Sequence, residues 1–301
     1  MSFSYSTKEE LCKIKLNSKC CAIAECYGVL LYCNTFSARE IKIITGNEKF
    51  AQRLNEQFFK AFSISFDILP DFGKPGKRSF AIIDTIKLRR IYEAYGYSPD
   101  NLLAHHVNLS VLEEDCCRRS FIRGAFFAGG AITDPVKSYH LELVTNHYNV
   151  SRGAFSLLLE MGFYPKETSR SGNYITYFKQ SSVVEDFLTL IGAPIHAMEL
   201  MSAKIEKDMR NSVQRKVNCD TANVTKIVDA AAIQIDAIKK IEQAGEFEML
   251  DDKLKQTALL RLENPELSIK ELAEMSTPPL TKSAMNHRLR KLVSISATIH
   301  I

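Results

Sequence analysis

An internal repeat constrains the fold of this 301-residue chain more than any other feature of its sequence. Cys20-Cys21 recurs as Cys116-Cys117, and Gly28 recurs as Gly124, both at an offset of 96 residues (from 20 to 116 and from 28 to 124). A repeat of this kind indicates two copies of one structural unit. We interpret it as two similar subdomains related by a pseudo-two-fold axis; the alternative is two unrelated domains with similar patterns.

Each copy shows the same order of helical and strand-like patterns, which predicts an α+β fold of the αββαββα type. In the first copy the predicted helices are Ala22–Tyr32, Glu48–Phe62 and Asp84–Tyr95, and the predicted strands are Glu40–Thr45 and Ser79–Ile83. In the second copy the helices are Phe121–Gly130, Val150–Met161 and Val183–Ile191, and the strands are Tyr139–Thr145 and Tyr174–Phe178. The glycine within the first helix of each copy predicts close packing between those two helices.

Two short helices around a turn are predicted near the C-terminus. Ser268 and Glu271 form a capping-box sequence, Pro278-Pro279 cannot continue a helix, and Thr281 can cap the next one. The apolar stripe of the second helix consists of Met285, Leu289 and Leu292. This arrangement predicts a helix-turn-helix in an all-α domain.

The polar face of the second helix is basic, with no acidic residue from Thr281 to Leu292. Its four Lys and Arg residues equal the +4 net charge of the whole chain, which has 39 basic and 35 acidic side chains. Arg and Lys suit phosphates and guanine edges, and Asn pairs with adenine. We predict that this helix binds double-stranded DNA; the alternative is a capped helical hairpin with a solvated face. The residues predicted to approach bases are Lys282, Ser283, Asn286, His287 and Arg290, and those predicted to contact phosphates are Arg288 and Lys291.

A basic amphipathic segment precedes this domain and is predicted to be a linker helix. Its Arg210, Arg215 and Lys216 are candidates for phosphate contact; the alternative is a solvated linker. Asp220-Thr221 resembles a helix cap, and a helical stripe then predicts a helix that supports the helix-turn-helix. That stripe consists of Ile227, Ala231, Gln234, Ile238 and Ile241. The predicted domains are residues 1–105 and 106–202 for the two repeats, 203–219 for the linker and 220–301 for the helix-turn-helix domain.

Composition argues against several other classes of protein. The hydrophobic content of 46% and the charged content of 25% are ordinary for globular domains. There is no apolar run of about 20 residues and no signal sequence, so we expect a cytoplasmic, nucleoid-associated protein with no membrane contact. The eight cysteines lack Cys-x-x-Cys spacing, and no glycine-rich phosphate loop follows a strand. We therefore expect no metal, no cofactor and no small-molecule substrate.

The segment 122–132, Ile-Arg-Gly-Ala-Phe-Phe-Ala-Gly-Gly-Ala-Ile, resembles the LAGLIDADG helix of homing endonucleases, and the segment 26–36 resembles a weaker first copy. A duplicated unit of this kind followed by a helix-turn-helix resembles the WhiA family of bacterial regulators. Further segments that carry this resemblance are 137–142, 217–223 and 286–291. The resemblance implies a sequence-specific DNA-binding transcription regulator, linked to sporulation or to cell division and chromosome segregation.

In the nucleases, an acidic residue late in each LAGLIDADG helix holds the divalent metals that cleave DNA. The matching positions here are Cys33 and Gly129, and the earlier acid of the motif matches Leu31 and Phe127. The resemblance therefore implies a catalytically inactive domain, and we expect no enzyme; the alternative is a residual nuclease.

The role of the repeat domain itself stays open between DNA and a regulatory protein partner or small effector. Residues 1–100 carry 15 basic and 11 acidic side chains, whereas residues 101–200 carry 8 and 10, so the second copy is not basic. Basic candidates in two loops are Lys74, Lys77, Arg78, Arg152 and Arg170. In the partner-binding alternative the protein is an interaction scaffold for division or regulatory proteins, and its DNA contact is incidental.

Overall fold

A computed structural model describes residues 2–15, 18–73, 76–97 and 104–299. The chain divides into two compact units, residues 1–208 and residues 209–301. Each unit has its own core of buried apolar side chains. Among the described residues, no helix has both the length and the apolar character needed to cross a bilayer.

The first copy of the repeat follows a short N-terminal helix that the sequence did not predict. That helix is α1 (Phe3–Leu11). The helices of the first copy are α2 (Lys19–Tyr32), α3 (Glu48–Phe62) and α4 (Thr85–Ala94), and its strands are β1 (Thr35–Phe36), β2 (Ile41–Thr45) and β3 (Arg78–Ile82). The strands form an antiparallel sheet in the order β1-β2-β3. An isolated bridge between Ile68 and Ala81 extends this sheet beyond β3. Pro70 follows Ile68 closely and lacks the N–H that a longer ladder needs.

The second copy begins after a 3₁₀ turn at Leu109–Leu112 and confirms the predicted αββαββα order. Its helices are α5 (Asp115–Gly129), α6 (Tyr148–Glu160) and α7 (Ser181–Ile191), and its strands are β4 (Gly130–Ile132), β5 (Leu141–Thr145), β6 (Lys166–Arg170) and β7 (Asn173–Phe178). All pairs are antiparallel in the order β4-β5-β7-β6. The first copy has only the single bridge at Ile68 where the second copy has the five-residue strand β6. The two copies therefore differ at this edge of the sheet.

Helices α2 and α5 cross at the two repeated glycines. A Cβ atom on Gly28 would collide with the carbonyl oxygen of Phe121 and lie 2.6 Å from the backbone nitrogen of Ala125. A Cβ atom on Gly124 would collide with the carbonyl oxygen of Glu25 and lie 3.0 Å from the nitrogen of Val29. The same 96-residue offset relates both sets of partners, so the contact is reciprocal. The predicted pseudo-two-fold packing is confirmed.

A buried ion-pair network lies beside this crossing. Glu25 is fully buried, and its carboxylate accepts hydrogen bonds from Arg53 Nε (2.9 Å) and Arg123 Nε (2.7 Å). Arg53 also donates to the carbonyl oxygen of Ile14 (2.6 Å), and Arg123 donates to Ser120 Oγ (3.1 Å). The carboxylate therefore joins α3 of the first copy to α5 of the second.

We expect Glu25→Gln to lower the free energy of unfolding by about 3–5 kcal/mol, because it leaves two buried arginines without their counter-ion. Urea denaturation followed by circular dichroism measures this change. Glu56→Gln is the matched control, since Glu56 is an exposed carboxylate on α3, and it is expected to change stability by less than about 0.5 kcal/mol. Equal effects of the two substitutions would show that the network contributes nothing specific.

Two histidines on the first unit make its stability depend on pH. His105 Nε2 lies 2.5 Å from the carbonyl oxygen of Phe36, and the ring centroids of His105 and His147 are 4.9 Å apart. Burial lowers the pKa of both imidazoles. The unfolded chain therefore binds more protons at these sites than the folded chain does as the pH falls through the ordinary histidine range, near 6.5.

The melting temperature of the chain is accordingly expected to fall between pH 7.5 and pH 5.5. Replacing His147 with Gln removes one of the two groups and is expected to make this fall smaller. His287→Gln, at an exposed position of the second unit, is the control and is expected to leave the fall unchanged. Thermal melts at the two pH values measure this difference in melting temperature. The same difference in the His147 variant and in the unchanged chain would show that His147 does not contribute to the pH dependence.

The second unit is helical. Helix α8 (Pro194–Gln243) crosses the division between the units, and it is followed by a 3₁₀ turn at Phe247–Met249 and by α9 (Asp252–Glu263), α10 (Ile269–Met275) and α11 (Lys282–Thr298). The cap predicted at Asp220-Thr221 is wrong, because α8 continues through it. Thr225 Oγ1 donates to the carbonyl oxygen of Thr221 (3.0 Å), which lets threonine sit inside a helix. Gly245, at a positive φ of 72°, follows the end of α8.

The C-terminal part of α8 packs into the core of the second unit, over more than three turns. The buried positions of the predicted stripe are Ala231, Gln234, Ile238 and Ile241, whereas Ile227 is exposed. The other buried apolar residues of this core are Leu254, Ala258, Leu272, Ala273, Met285, Leu289, Leu292 and Ile299. The end of α8 therefore supports the helix-turn-helix, as the sequence predicted.

Candidate nucleic-acid interface

Local hydrogen bonds fix both helices of the helix-turn-helix. The capping box of α10 is complete: Ser268 N donates to Glu271 Oε2 (2.7 Å), and Glu271 N donates to Ser268 Oγ (3.4 Å). Hydrogen bonds from Ser268 lower the pKa of the Glu271 carboxyl. Thr281 caps α11 by accepting from Ala284 N (3.2 Å). Both predicted caps are confirmed.

The turn between α10 and α11 is held to the end of α10. Ser276 Oγ donates to the carbonyl oxygen of Ala273 (2.8 Å), and Leu280 N donates to that same oxygen (2.9 Å). The Thr277-Pro278 peptide bond is cis. These contacts close the turn, which is longer than the tightest helix-turn-helix connection, without leaving the Ala273 carbonyl unpaired.

Helix α11 buries its apolar stripe and exposes most of the residues predicted to meet DNA. Met285, Leu289 and Leu292 are at most 1% exposed, as predicted. Ser283, His287 and Arg290 are exposed, and their spacing of four and three residues places them on one face, opposite that stripe. Lys282 is exposed in the first turn, and Asn286 is half-buried at one border of the face. The structure thus brings the five base-facing candidates to one side of α11 and its N-terminus.

The two phosphate candidates of α11 lie at the opposite border. Arg288 is half-buried and lines a groove of about 590 Å³ with Lys253 of α9. Lys291 is half exposed, and its Nζ lies 3.8 Å from a carboxylate oxygen of Asp251, which is also half exposed. A surface pair at this distance contributes little to stability, so Lys291 can exchange Asp251 for another anion.

Arg261 is a positioning residue that the sequence did not reveal. Its side chain is 1% exposed and donates to Gln234 Oε1 of α8 (2.9 Å) and to the carbonyl oxygen of Leu267 (2.7 Å). Burial lowers the pKa of this guanidinium. Arg261 therefore ties α8 to the loop that precedes α10. A polar Gln234 inside an apolar stripe is the signal that could have indicated such a partner.

The three linker candidates do not form one binding face. Arg210, Arg215 and Lys216 are all exposed on α8. At about 100° per residue, their spacing distributes them around the helix. Arg215 also lies roughly 35 Å along α8 from Ile238, since 23 residues at about 1.5 Å each separate them. These residues are therefore not part of the basic face of α11.

Two of the basic candidates of the repeat unit are engaged with carboxylates of the protein. Arg78 is buried and lies 3.4 Å from Glu48, and Arg152 donates to Glu167 (2.7 Å). Lys77 and Arg170 are exposed, and Lys74 lies outside the described residues. Intramolecular carboxylates compete for the two paired arginines, which weakens the argument for a continuous DNA-binding surface on this unit.

The two positions that match the metal-binding acids of the nucleases are unsuited to Mg²⁺. Gly129 has no donor atom, and a Cβ atom there would collide with the carbonyl oxygen of Val144 and lie 2.7 Å from Tyr32 Cδ1. The carbonyl oxygens of Leu30 (3.1 Å) and Thr35 (3.2 Å) are both within hydrogen-bond distance of the Cys33 thiol, which donates its one proton to this pair. Burial raises the pKa of this thiol to about 12, so it stays protonated.

We expect Gly129→Asp to destabilise the chain, because the space for a side chain is already filled by Tyr32 and the β5 backbone. The expected loss is about 3 kcal/mol or more, measured by urea denaturation. Gly46→Asp is the matched control, since nothing lies within 4 Å of a Cβ atom there. A Gly129 variant as stable as the Gly46 variant would show that the position can accept an acid.

Comparison with known proteins agrees with this architecture. The family model for the WhiA LAGLIDADG-like domain matches residues 118–210, and the model for the WhiA C-terminal HTH domain matches residues 213–296. The chain is 38% identical over 307 residues to the probable cell division protein WhiA of Ruminiclostridium cellulolyticum, covering 99% of this chain and 98% of that protein. The chain belongs to the WhiA family. Its identity to the probable cell division protein WhiA of Staphylococcus haemolyticus is 36%, again over 99% of this chain and 98% of the relative.

Solved structures of the WhiA family share the fold. Full-length DUF199/WhiA from Thermotoga maritima matches with a TM-score of 0.60 at 24% identity and covers 100% of both chains. The N-terminal LAGLIDADG domain of DUF199/WhiA matches with a TM-score of 0.50 at 19% identity, over 64% of this chain and 92% of that one. The predicted fold class, a duplicated LAGLIDADG-like unit followed by a helical domain, is confirmed.

Proposed function

We propose that this WhiA-family protein is a sequence-specific regulator of transcription that reads double-stranded DNA with the exposed face of α11. The observation that carries this proposal is the arrangement of Ser283, His287 and Arg290 on one face of a capped helix with a buried back. A helix of this kind fits the major groove, where Arg, Asn and Ser side chains can address base edges. The regulator acts on the nucleoid, and its relatives' names support a role in cell division.

Phosphate contacts on either side of α11 complete the proposed interface. Lys282 in the first turn of α11 adds a cation to its N-terminus, where the helix dipole also attracts anions. Arg288 and Lys253 border the face on the other side, and Lys291 is available once it leaves Asp251. Arg210, Arg215 and Lys216 contact phosphates separately, along α8.

We expect Arg290→Ala to weaken binding to a specific DNA fragment by about 1–3 kcal/mol at fixed salt, because a base contact is lost. Lys291→Ala is expected to lower the slope of log affinity against log salt by about one, because one phosphate contact is lost. Fluorescence anisotropy measures both effects. Arg89→Ala, at an exposed position of α4, is the charge-matched control and should leave both quantities unchanged. Unchanged affinity for the Arg290 variant would remove Arg290 from the site.

Chromatin immunoprecipitation separates this proposal from the scaffold alternative. The full-length chain is compared with the double variant Lys282→Ala and Arg290→Ala, whose substitutions are on the surface and spare the core. Discrete sites that disappear in the variant support recognition by α11. Sites that persist transfer recognition to another part of the chain, and the absence of discrete sites from both chains favours the scaffold.

We also infer that the repeat unit does not cleave DNA. Gly129 offers no ligand at one former metal position, and a protonated Cys33 is a poor ligand for Mg²⁺ at the other. With Mg²⁺ and supercoiled DNA, the highly purified chain is therefore expected to leave the DNA intact. Nicking that co-purifies with the chain and requires Mg²⁺ would contradict this inference.

A protein partner is the second candidate function, favoured by an exposed apolar stripe on the part of α8 that belongs to the first unit. Met198, Met201 and Ile205 are 66%, 44% and 60% exposed, and their spacing places them on one side of the helix. Exposed apolar patches of this kind mark protein interaction sites. Loss of a co-purifying division protein in Met198→Ser, with DNA binding retained, would support this function.

A further inference from the structure

Four cysteines from the two copies of the repeat meet at one end of the α2–α5 pair. Cys20 and Cys21 lie in the first turn of α2, and Cys116 and Cys117 lie in the first turn of α5. Their sulfur atoms all lie within 4.8 Å of one another. The 96-residue offset relates the two pairs, so the pseudo-two-fold packing that joins the glycines also brings these thiols together.

The spacing of the sulfur atoms fits a single tetrahedral ion. A Zn²⁺ ion lies about 2.3 Å from each thiolate, which places the four sulfur atoms roughly 3.8 Å apart at the corners of a tetrahedron. Sulfur atoms that are already within 4.8 Å reach this geometry by small side-chain rotations. An iron–sulfur cluster, in contrast, places its cysteine ligands around a larger core of several atoms and needs wider separations.

Two features of the surroundings offset negative charge on the four sulfur atoms. Both helix N-termini direct the positive ends of their dipoles towards the cysteines. Cys21 and Cys116 line a groove together with Lys15 and Arg119, two cations that offset the net charge of −2 on a four-thiolate Zn²⁺ centre. Three exposed acids that directly precede Cys116, namely Glu113, Glu114 and Asp115, oppose this effect.

We propose that Cys20, Cys21, Cys116 and Cys117 form a structural zinc site that links the two copies of the repeat. Zn²⁺ displaces the four thiol protons and is held by four thiolates, with no change of oxidation state. With all four positions taken by protein ligands, the ion has no open site for substrate. Its effect is to clamp the N-terminal turns of α2 and α5, at one end of the crossing that Gly28 and Gly124 create.

The test uses the full-length chain, purified with a reductant, stripped with a chelator and reloaded without oxygen. We expect about one Zn²⁺ per chain by elemental analysis and, with Co²⁺ as a probe, the intense absorption of a tetrahedral thiolate complex. Zinc is expected to raise the melting temperature of the stripped chain by about 5 °C or more, because it binds only the folded state.

Two serine variants make the result specific. Cys116→Ser, at an exposed position, is expected to lower zinc affinity by at least about tenfold and to abolish the tetrathiolate Co²⁺ spectrum. Cys219→Ser removes an exposed cysteine of the second unit and is expected to retain full zinc loading. The folded state of each variant is checked by circular dichroism before loading.

Three results would overturn the proposal. The first is a reduced wild-type chain that stays metal-free after reloading. The second is equal zinc loading in the Cys116 and Cys219 variants, which would place the ion elsewhere. The third is a mass for the reductant-treated protein that shows two disulfide bonds among these cysteines, which would make the cluster a redox pair instead of a metal site.

Discussion

The close contact between α2 and α5 is the constraint on which the rest of the first unit depends. Because Gly28 and Gly124 have no side chains, the two helix backbones touch, and each helix is surrounded by its own copy and by the other. Ten of the 14 residues of α2 are buried as a result. The same contact brings Glu25 within reach of Arg123 and places the two cysteine pairs side by side. A larger residue at either glycine would separate the helices and disturb both features.

The LAGLIDADG-like unit has no acidic side chain at the two positions that match the metal-binding acids of the nucleases. At Gly129, Tyr32 and the β5 backbone occupy the volume that an acidic side chain would need. The Cys33 thiol faces the carbonyl oxygens of Leu30 and Thr35, whereas a carboxylate that binds a metal faces the metal and solvent. Neither position offers a carboxylate to a metal ion.

Much of the fold was predictable from the sequence because the helical and strand-like patterns of apolar residues occur in the same order in both copies of the repeat. Helix α3 was predicted to the residue, and the caps at Ser268 and Thr281 follow from local chemistry. Helix α1 was missed, and so was the continuity of α8, since Asp220-Thr221 is equally compatible with a cap and with a helix interior. Residue spacing also could not reveal Arg261 or the cysteine cluster, because both depend on distant segments that only the tertiary packing brings together. The Cys20-Cys21 repeat was visible, but its meaning required the pseudo-two-fold axis.

The buried Glu25 has no acidic equivalent in the second copy, and this difference determines which copies can pair through α2 and α5. The position equivalent to Glu25 in the second copy is Phe121, and the position equivalent to Arg123 in the first copy is Tyr27. If two first copies from different chains paired through α2, each would bury a carboxylate opposite a tyrosine and lose one of its two arginines. If two second copies paired, each would bury an arginine with no acid. Only the pairing of a first copy with a second copy neutralises both groups, so this single residue disfavours the pairing of like copies from neighbouring molecules during folding.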